Sequence, residues 1–159
     1  MVLLQNDYIC AKIHNLGAEL HSLTLADDSG SEVIWQGDPN YWEQRAPVLF
    51  PIVGSLKNGV YSYEGQSYAL PIHGFACEQR FRLIRQTAAS ASFELTHSTA
   101  TLALYPFRFQ LRIDYQLENR TLHCGYSVLN ADEKALYFSL GAHPGFRLHR
   151  PQEAIIRLL

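Results

Sequence analysis

Between Phe109 and Val128 the chain alternates apolar and polar residues in two successive runs, and this pattern leaves room for little but an antiparallel hairpin. Phe109, Leu111, Ile113, Tyr115 and Leu117 interleave with Gln110, Arg112, Asp114, Gln116 and Glu118. After a turn at Asn119-Arg120, Leu122, Cys124, Tyr126 and Val128 resume the alternation against His123, Gly125 and Ser127. Successive side chains of a strand point to opposite faces, so each run offers one face to a core and one to water. A second hairpin is predicted where Val60-Tyr61-Ser62-Tyr63 and Ser67-Tyr68-Ala69-Leu70 flank Glu64-Gly65-Gln66. Shorter strands are predicted over 9–13, 19–25, 33–35, 81–85, 92–96, 136–140 and 154–159, separated by turn clusters such as Asp27-Asp28-Ser29-Gly30. The only helix signal is brief: Asp38 caps and Pro39 opens a single turn through Glu43. The expected class is all-β, a large antiparallel sandwich.

At 159 residues, 47% of them hydrophobic, the chain is long enough for one packed domain spanning 1–159. A formal net charge of -2 without a basic run leaves no electrostatic footprint for nucleic acid. No apolar stretch has the length of a membrane span, and the N-terminus lacks the features of a signal peptide. Cys10, Cys77 and Cys124 are isolated and odd in number, which signals neither disulfides nor a thiolate metal site; a reducing cytoplasm is the expected location. Ala154-Ile155-Ile156-Arg157-Leu158-Leu159 reads as a strand in mid-course rather than a polar tail. The sandwich is therefore expected to be incomplete at its C-terminus, with an edge left open.

Two histidines stand out from this strand-forming background. His73 lies in Leu70-Pro71-Ile72-His73-Gly74-Phe75, and His143 in Ser139-Leu140-Gly141-Ala142-His143-Pro144-Gly145-Phe146. A residue before proline is pushed out of the helical region, so His143 is expected to be extended and stiffly held. Gly74 lets the backbone turn, or approach another group closely, directly after His73. Imidazole is the side chain best matched to proton transfer near neutral pH, so the pair points to an acid/base or polar-ligand site. His14, His21, His97, His123 and His149 carry no comparable flanking signal and are read as structural or surface residues. The third unusual segment is Arg45-Ala46-Pro47-Val48-Leu49-Phe50-Pro51-Ile52-Val53-Gly54, an apolar run broken by prolines and closed by glycine. Such a run disfavours a central strand and favours a shaped loop, with Arg45 at its head available for paired hydrogen bonds to a polyol or anion. There is no HExxH, paired CxxC, GxSxG, P-loop or GxGxxG, and Asp27-Asp28 lacks the ligand spacing of a calcium loop.

Read in order, the segment from Arg45 to Gly54, Leu70-Pro71-Ile72-His73-Gly74-Phe75-Ala76, Tyr105-Pro106-Phe107-Arg108-Phe109, Asn130 and Ser139 through Phe146 resembles the aldose 1-epimerase (galactose mutarotase-like) family, in particular its LacX-like branch. The resemblance implies a β-supersandwich that interconverts the α and β anomers of a hexose, free or phosphorylated, without a metal or organic cofactor. It implies general acid/base ring opening and closure, with His143 as the acid at the ring oxygen. His73 would then be the second histidine, which hydrogen-bonds the sugar and polarises that oxygen, and Arg45 a sugar-binding residue. Two departures bear on binding: Ser55 follows Gly54 and Cys77 follows Ala76, where many relatives carry arginine. No residue matches the family's catalytic glutamate, which lies late in a chain nearly twice as long, and Glu153 does not fill that role. Two readings follow: a mutarotase-like isomerase whose base is not among these residues, so that residues 1–159 alone show little activity, or a non-catalytic carbohydrate-binding β-domain.

Overall fold

The computed structural model describes residues 1–26 and 30–147. The turn expected at Asp27-Asp28-Ser29 and the strand expected over 154–159 lie outside them, as do His149 and Glu153. Strands β1 (Val2–Gln5), β2 (Ile9–Ile13) and β3 (Leu20–Leu25) come first, then the short β4 (Val48–Leu49). They are followed by β5 (Val60–Tyr63), β6 (Gln66–Ala69), β7 (Arg82–Gln86) and β8 (Ser90–Thr96). Helix α1 (Thr99–Leu104) precedes β9 (Phe109–Glu118), β10 (Thr121–Asn130) and the short β11 (Gly141–Ala142).

The expected all-β antiparallel architecture is present. A three-stranded sheet runs β1-β2-β3 and a four-stranded sheet β10-β9-β8-β7, with separate pairs β5-β6 and β11-β4. The hairpin read from the alternation is the long pair β9-β10, which keeps one register from Phe109↔Asn130 to Glu118↔Thr121. Phe109, Leu111, Ile113, Tyr115 and Leu117 are all buried, while the residues between them reach outward. They share one core with Leu4, Ile9 and Ile13 of the three-stranded sheet and with Phe50, Phe75, Phe81, Phe93 and Phe107. Burying each such side chain contributes roughly 1.5–3 kcal/mol, so this core is the main stabilising term.

Where local structure departs from the sequence reading, a polar group decides it. The strand expected over 33–35 is reduced to isolated bridges, Thr24↔Glu32 and Ile34↔Phe146. Glu32 Oε1 accepts the backbone N–H groups of Leu23 and Ile34, both at 2.9 Å, so a carboxylate replaces ladder carbonyls there. The turn of helix at Asp38 is a turn only: the Asp38 carbonyl accepts from Tyr41 and Trp42, and its carboxylate from the Asn40 N–H. The helix forms instead at 99–104, where Ser98 and Thr101 each accept the other's backbone N–H in a capping box. The second hairpin turns in two residues rather than three, because Glu64 and Gly65 both take positive φ (48° and 78°) and Gln66 pairs with Tyr63. Strand β1 adds an edge that the short run 2–5 did not announce. Residues 136–140 are not assigned to a strand, which starts at Gly141.

Tyr115 ties the two sheets together. Its ring is 3% exposed and its hydroxyl donates to the carbonyl of Ala18 at 2.8 Å. Burial, seconded by nearby Tyr126, pushes its phenol pKa well up. Tyr115→Phe keeps the shape and strands a buried acceptor, so it should destabilise the protein by about 1–2 kcal/mol. Urea denaturation should show a lower midpoint with an unchanged slope.

Candidate functional site

The segment from Arg45 to Gly54 is hydrogen-bonded on two sides. Along one side β4 pairs antiparallel with β11, Val48 opposite Ala142 and Leu49 opposite Gly141. The pairing extends in both directions: Ser139 N–H donates to Pro51 O (2.9 Å), His143 N–H to Pro47 O (3.1 Å) and Gly145 N–H to Arg45 O (2.7 Å). Along the other side Phe50 bridges Gly74 in parallel, and the Phe50 carbonyl accepts from both Phe75 N–H (3.0 Å) and Ala76 N–H (3.2 Å). The sequence reading of this run as a shaped loop rather than a central strand is therefore only half right. Pro47 and Pro51 lack donors, yet the pairing asks of them only a carbonyl, which proline has. The peptide between Phe50 and Pro51 is cis.

His73 sits at a tight corner. It adopts φ 65°, a left-handed conformation uncommon for a residue with a side chain, and Gly74 follows at φ 74°. The backbone N–H of His73 donates to Gly54 O at 2.8 Å, and the Gly54 N–H returns a bond to His73 Nδ1 at 3.0 Å. An amide N–H is only a donor, so Nδ1 is the acceptor and the proton of the neutral ring resides on Nε2. His73 thus presents an N–H donor away from Gly54. Gly74 has no alternative: a Cβ there would lie 2.3 Å from Phe50 O and 2.7 Å from Pro51 N.

His143 is the next residue along the β11 pairing, with its ring exposed. That ring packs against Trp42, centroids 5.0 Å apart, and stands 6.1 Å from the ring of His73 at 60°. The two imidazoles singled out from sequence are therefore brought side by side. Arg45 lies at the head of the same segment, but one arm of its guanidinium is occupied, donating to Gln36 O at 2.9 Å. Ser55 is exposed, and Cys77 is half-buried with its thiol pKa pushed up by burial. Neither imidazole lines the two apolar concavities, of about 440 and 460 Å³: Tyr61, Tyr63 and Tyr105 line the first, and Leu122, Tyr126 and Phe146 line the second together with Ala142 and Pro144, which flank His143.

Sequence reasoning missed two contributors. Trp42 was visible only as part of a turn, and its contact with His143 depends on a long-range fold. Glu19 was visible only as a polar position at the start of a strand. Its Oε1 accepts the backbone N–H groups of Arg45 and Ala46, both at 2.9 Å, and its Oε2 pairs with His21 Nε2 at 2.9 Å. Burial pushes its carboxyl pKa up, but the bonds from His21, Ala46 and Arg45 outweigh it and leave the pKa below the usual 4.5. His21 in turn stacks on His14 at 4.9 Å, and His123 pairs with Glu118 at 3.4 Å, so these histidines have structural or surface roles.

A family model described as aldose 1-epimerase matches residues 1–157. Protein LacX of Lactococcus lactis subsp. lactis is 34% identical over 149 residues, covering 90% of this chain and 49% of LacX. A galactose mutarotase related enzyme from Lactobacillus acidophilus superposes with a TM-score of 0.91 at 38% identity, over 97% of this chain and 51% of that one. A galactose mutarotase-like protein from Lactobacillus casei gives 0.89 at 33% identity, over 92% and 49%. The chain spans about half the length of the relatives it matches.

The corner at Gly74 has no slack, which separates it from Gly54, the hydrogen-bonding partner of His73. Gly74→Ala adds a left-handed alanine and a backbone clash, and should cost about 3 kcal/mol or more. Gly54 also has positive φ (81°) but nothing within 4 Å of an added Cβ. Gly54→Ala should cost only the conformational part, about 1–2 kcal/mol. Paired denaturation curves measure the difference.

Proposed function

The chain belongs to the aldose 1-epimerase family, and on that premise we propose that it carries the acid half of a sugar mutarotase site, acting on a hexose, free or phosphorylated. The observation that carries this reading is the 6.1 Å approach of the His73 and His143 rings, held by backbone pairing to a single segment. In the proposed reaction His143 donates a proton to the ring oxygen as the C1–O5 bond breaks. The anomeric hydroxyl loses its proton and becomes the aldehyde carbonyl. Rotation about C1–C2 and closure on the other face give the second anomer, and the protons return. His73, with its Nε2–H free to donate, hydrogen-bonds the same oxygen and stabilises the charge that develops on it. Arg45 is proposed to contribute sugar contacts through the part of its guanidinium not bound to Gln36. The base that takes the anomeric proton is assigned to no residue among these, and no cofactor enters the scheme. Location in the cytoplasm fits free thiols at Cys10, Cys77 and Cys124.

A second reading, a carbohydrate-binding domain without catalysis, is favoured by Ser55 and Cys77 at positions that many relatives fill with arginine. The two readings separate cleanly. Polarimetry, or NMR exchange between the anomers of glucose and of galactose, should show acceleration by the protein. His143→Ala should lower kcat by about 10²–10⁴-fold with little change in KM, since the proton is needed only in the transition state. Sugar binding without any acceleration would establish the second reading. An unchanged kcat in the variant would move the general acid elsewhere.

A further inference from the structure

We infer that Glu19, which the proposed reaction does not use, is a positioning residue that sets the place of His143 through the Arg45 peptide. The inference rests on the mutarotase reading for its kinetic consequence, but its structural basis is independent of it. Glu19 immediately precedes β3, with its side chain only 16% exposed. One of its oxygens takes both N–H groups at the head of the Arg45–Gly54 segment, and the other is held by His21. A charged acceptor taking two backbone donors is among the stronger hydrogen-bonding arrangements a side chain can make.

The Arg45 residue is bonded at both ends. Its N–H goes to Glu19, and its carbonyl receives the Gly145 N–H at 2.7 Å. Gly145 is closely flanked by two indoles: an added Cβ would lie 2.8 Å from the side chains of both Trp35 and Trp42. Its carbonyl accepts the Trp35 N–H at 2.9 Å, and the Trp35 indole N–H donates to Trp42 O at 2.8 Å. Trp42 packs directly on the ring of His143, two residues before Gly145. A displacement of the Arg45 peptide is thus passed to the His143 backbone through Gly145 and to its ring through Trp42. Small misplacements of a proton donor are expensive, because catalysis depends on the reacting atoms being held in line.

The test compares two variants with the wild-type protein. Glu19→Ala removes the acceptor and should lower kcat about tenfold while KM stays within about twofold. Glu19→Gln retains a neutral Oε1 for both backbone donors and should keep kcat within about threefold of wild type. Amide hydrogen exchange gives a readout that does not depend on activity: Glu19→Ala should speed exchange at His143 and Gly145 about tenfold, leaving Ile113 in β9 unchanged. If the alanine variant does not fold, Glu19→Asp, whose carboxylate falls short of Arg45, serves in its place with the same expectations. Wild-type exchange at His143 and Gly145 in the folded Glu19→Ala variant, or in Glu19→Asp where that replaces it, overturns the inference. So does equal acceleration at Ile113, which would mark a general loss of stability. A wild-type protein that fails to accelerate anomer exchange sinks the mutarotase reading, while the exchange pattern still decides the role of Glu19.

Discussion

The structure around the two histidines depends on one short segment being hydrogen-bonded on both of its edges. Residues 45–54 hold the His143 strand by one set of backbone groups and the His73 corner by another. Each contact uses a backbone carbonyl or N–H whose position follows from the chain, not from rotamer choice. Two side chains roughly seventy residues apart in sequence are thereby referred to one rigid object. The segment is itself fixed from below by Phe50, fully buried among Phe75, Tyr105 and Phe109. The aromatic core and the site are therefore one construction, and a change in the core at Phe50 is felt at both imidazoles.

The conformation of His73 shows how such a site stores a small cost. A left-handed residue with a side chain is disfavoured by about 1–2 kcal/mol relative to an ordinary backbone. Here the same geometry lets His73 and Gly54 exchange two hydrogen bonds, one through the backbone and one through the ring. Those bonds offset the strain and select a single tautomer and ring orientation. The result is a donor whose direction is set before any ligand arrives, the kind of preorganisation that a sugar-binding or proton-handling group needs.

Much of this was legible in the sequence because it rested on periodicity and on residues with special backbones. The alternation from Phe109 to Val128 fixes a hairpin and its buried face, since slipping by one residue would expose every apolar side chain. Histidines flanked by glycine or proline were marked as unusual by local sterics alone, and the two marked that way lie with their ring centroids 6.1 Å apart. What escaped were features decided by single polar side chains bonded to backbone groups, some local and some distant. Glu32 takes over ladder positions near Ile34, Ser98 caps a helix with no amphipathic stripe, and Glu19 reaches Arg45 and Ala46 from 26 and 27 residues away. Carboxylates and hydroxyls of this kind leave no period in a sequence. Their partners are backbone atoms, which every residue has.

The contacts that orient the two imidazoles all originate between Glu19 and Gly145, within a chain about half as long as the relatives it matches. The acid side of the proposed site is thus self-contained in its geometry. Its environment is a different matter. His143 is exposed, His73 is half-buried, and neither apolar concavity encloses them. A proton donor open to water meets a competing solvent and a high dielectric, which weakens each electrostatic contact with a developing charge. Placement and exclusion of water are therefore separable requirements, and the hydrogen bonds around residues 45–54 meet the first. The second calls for further walls around the ring-oxygen position, and efficient proton transfer by these histidines depends on such walls as much as on the histidines.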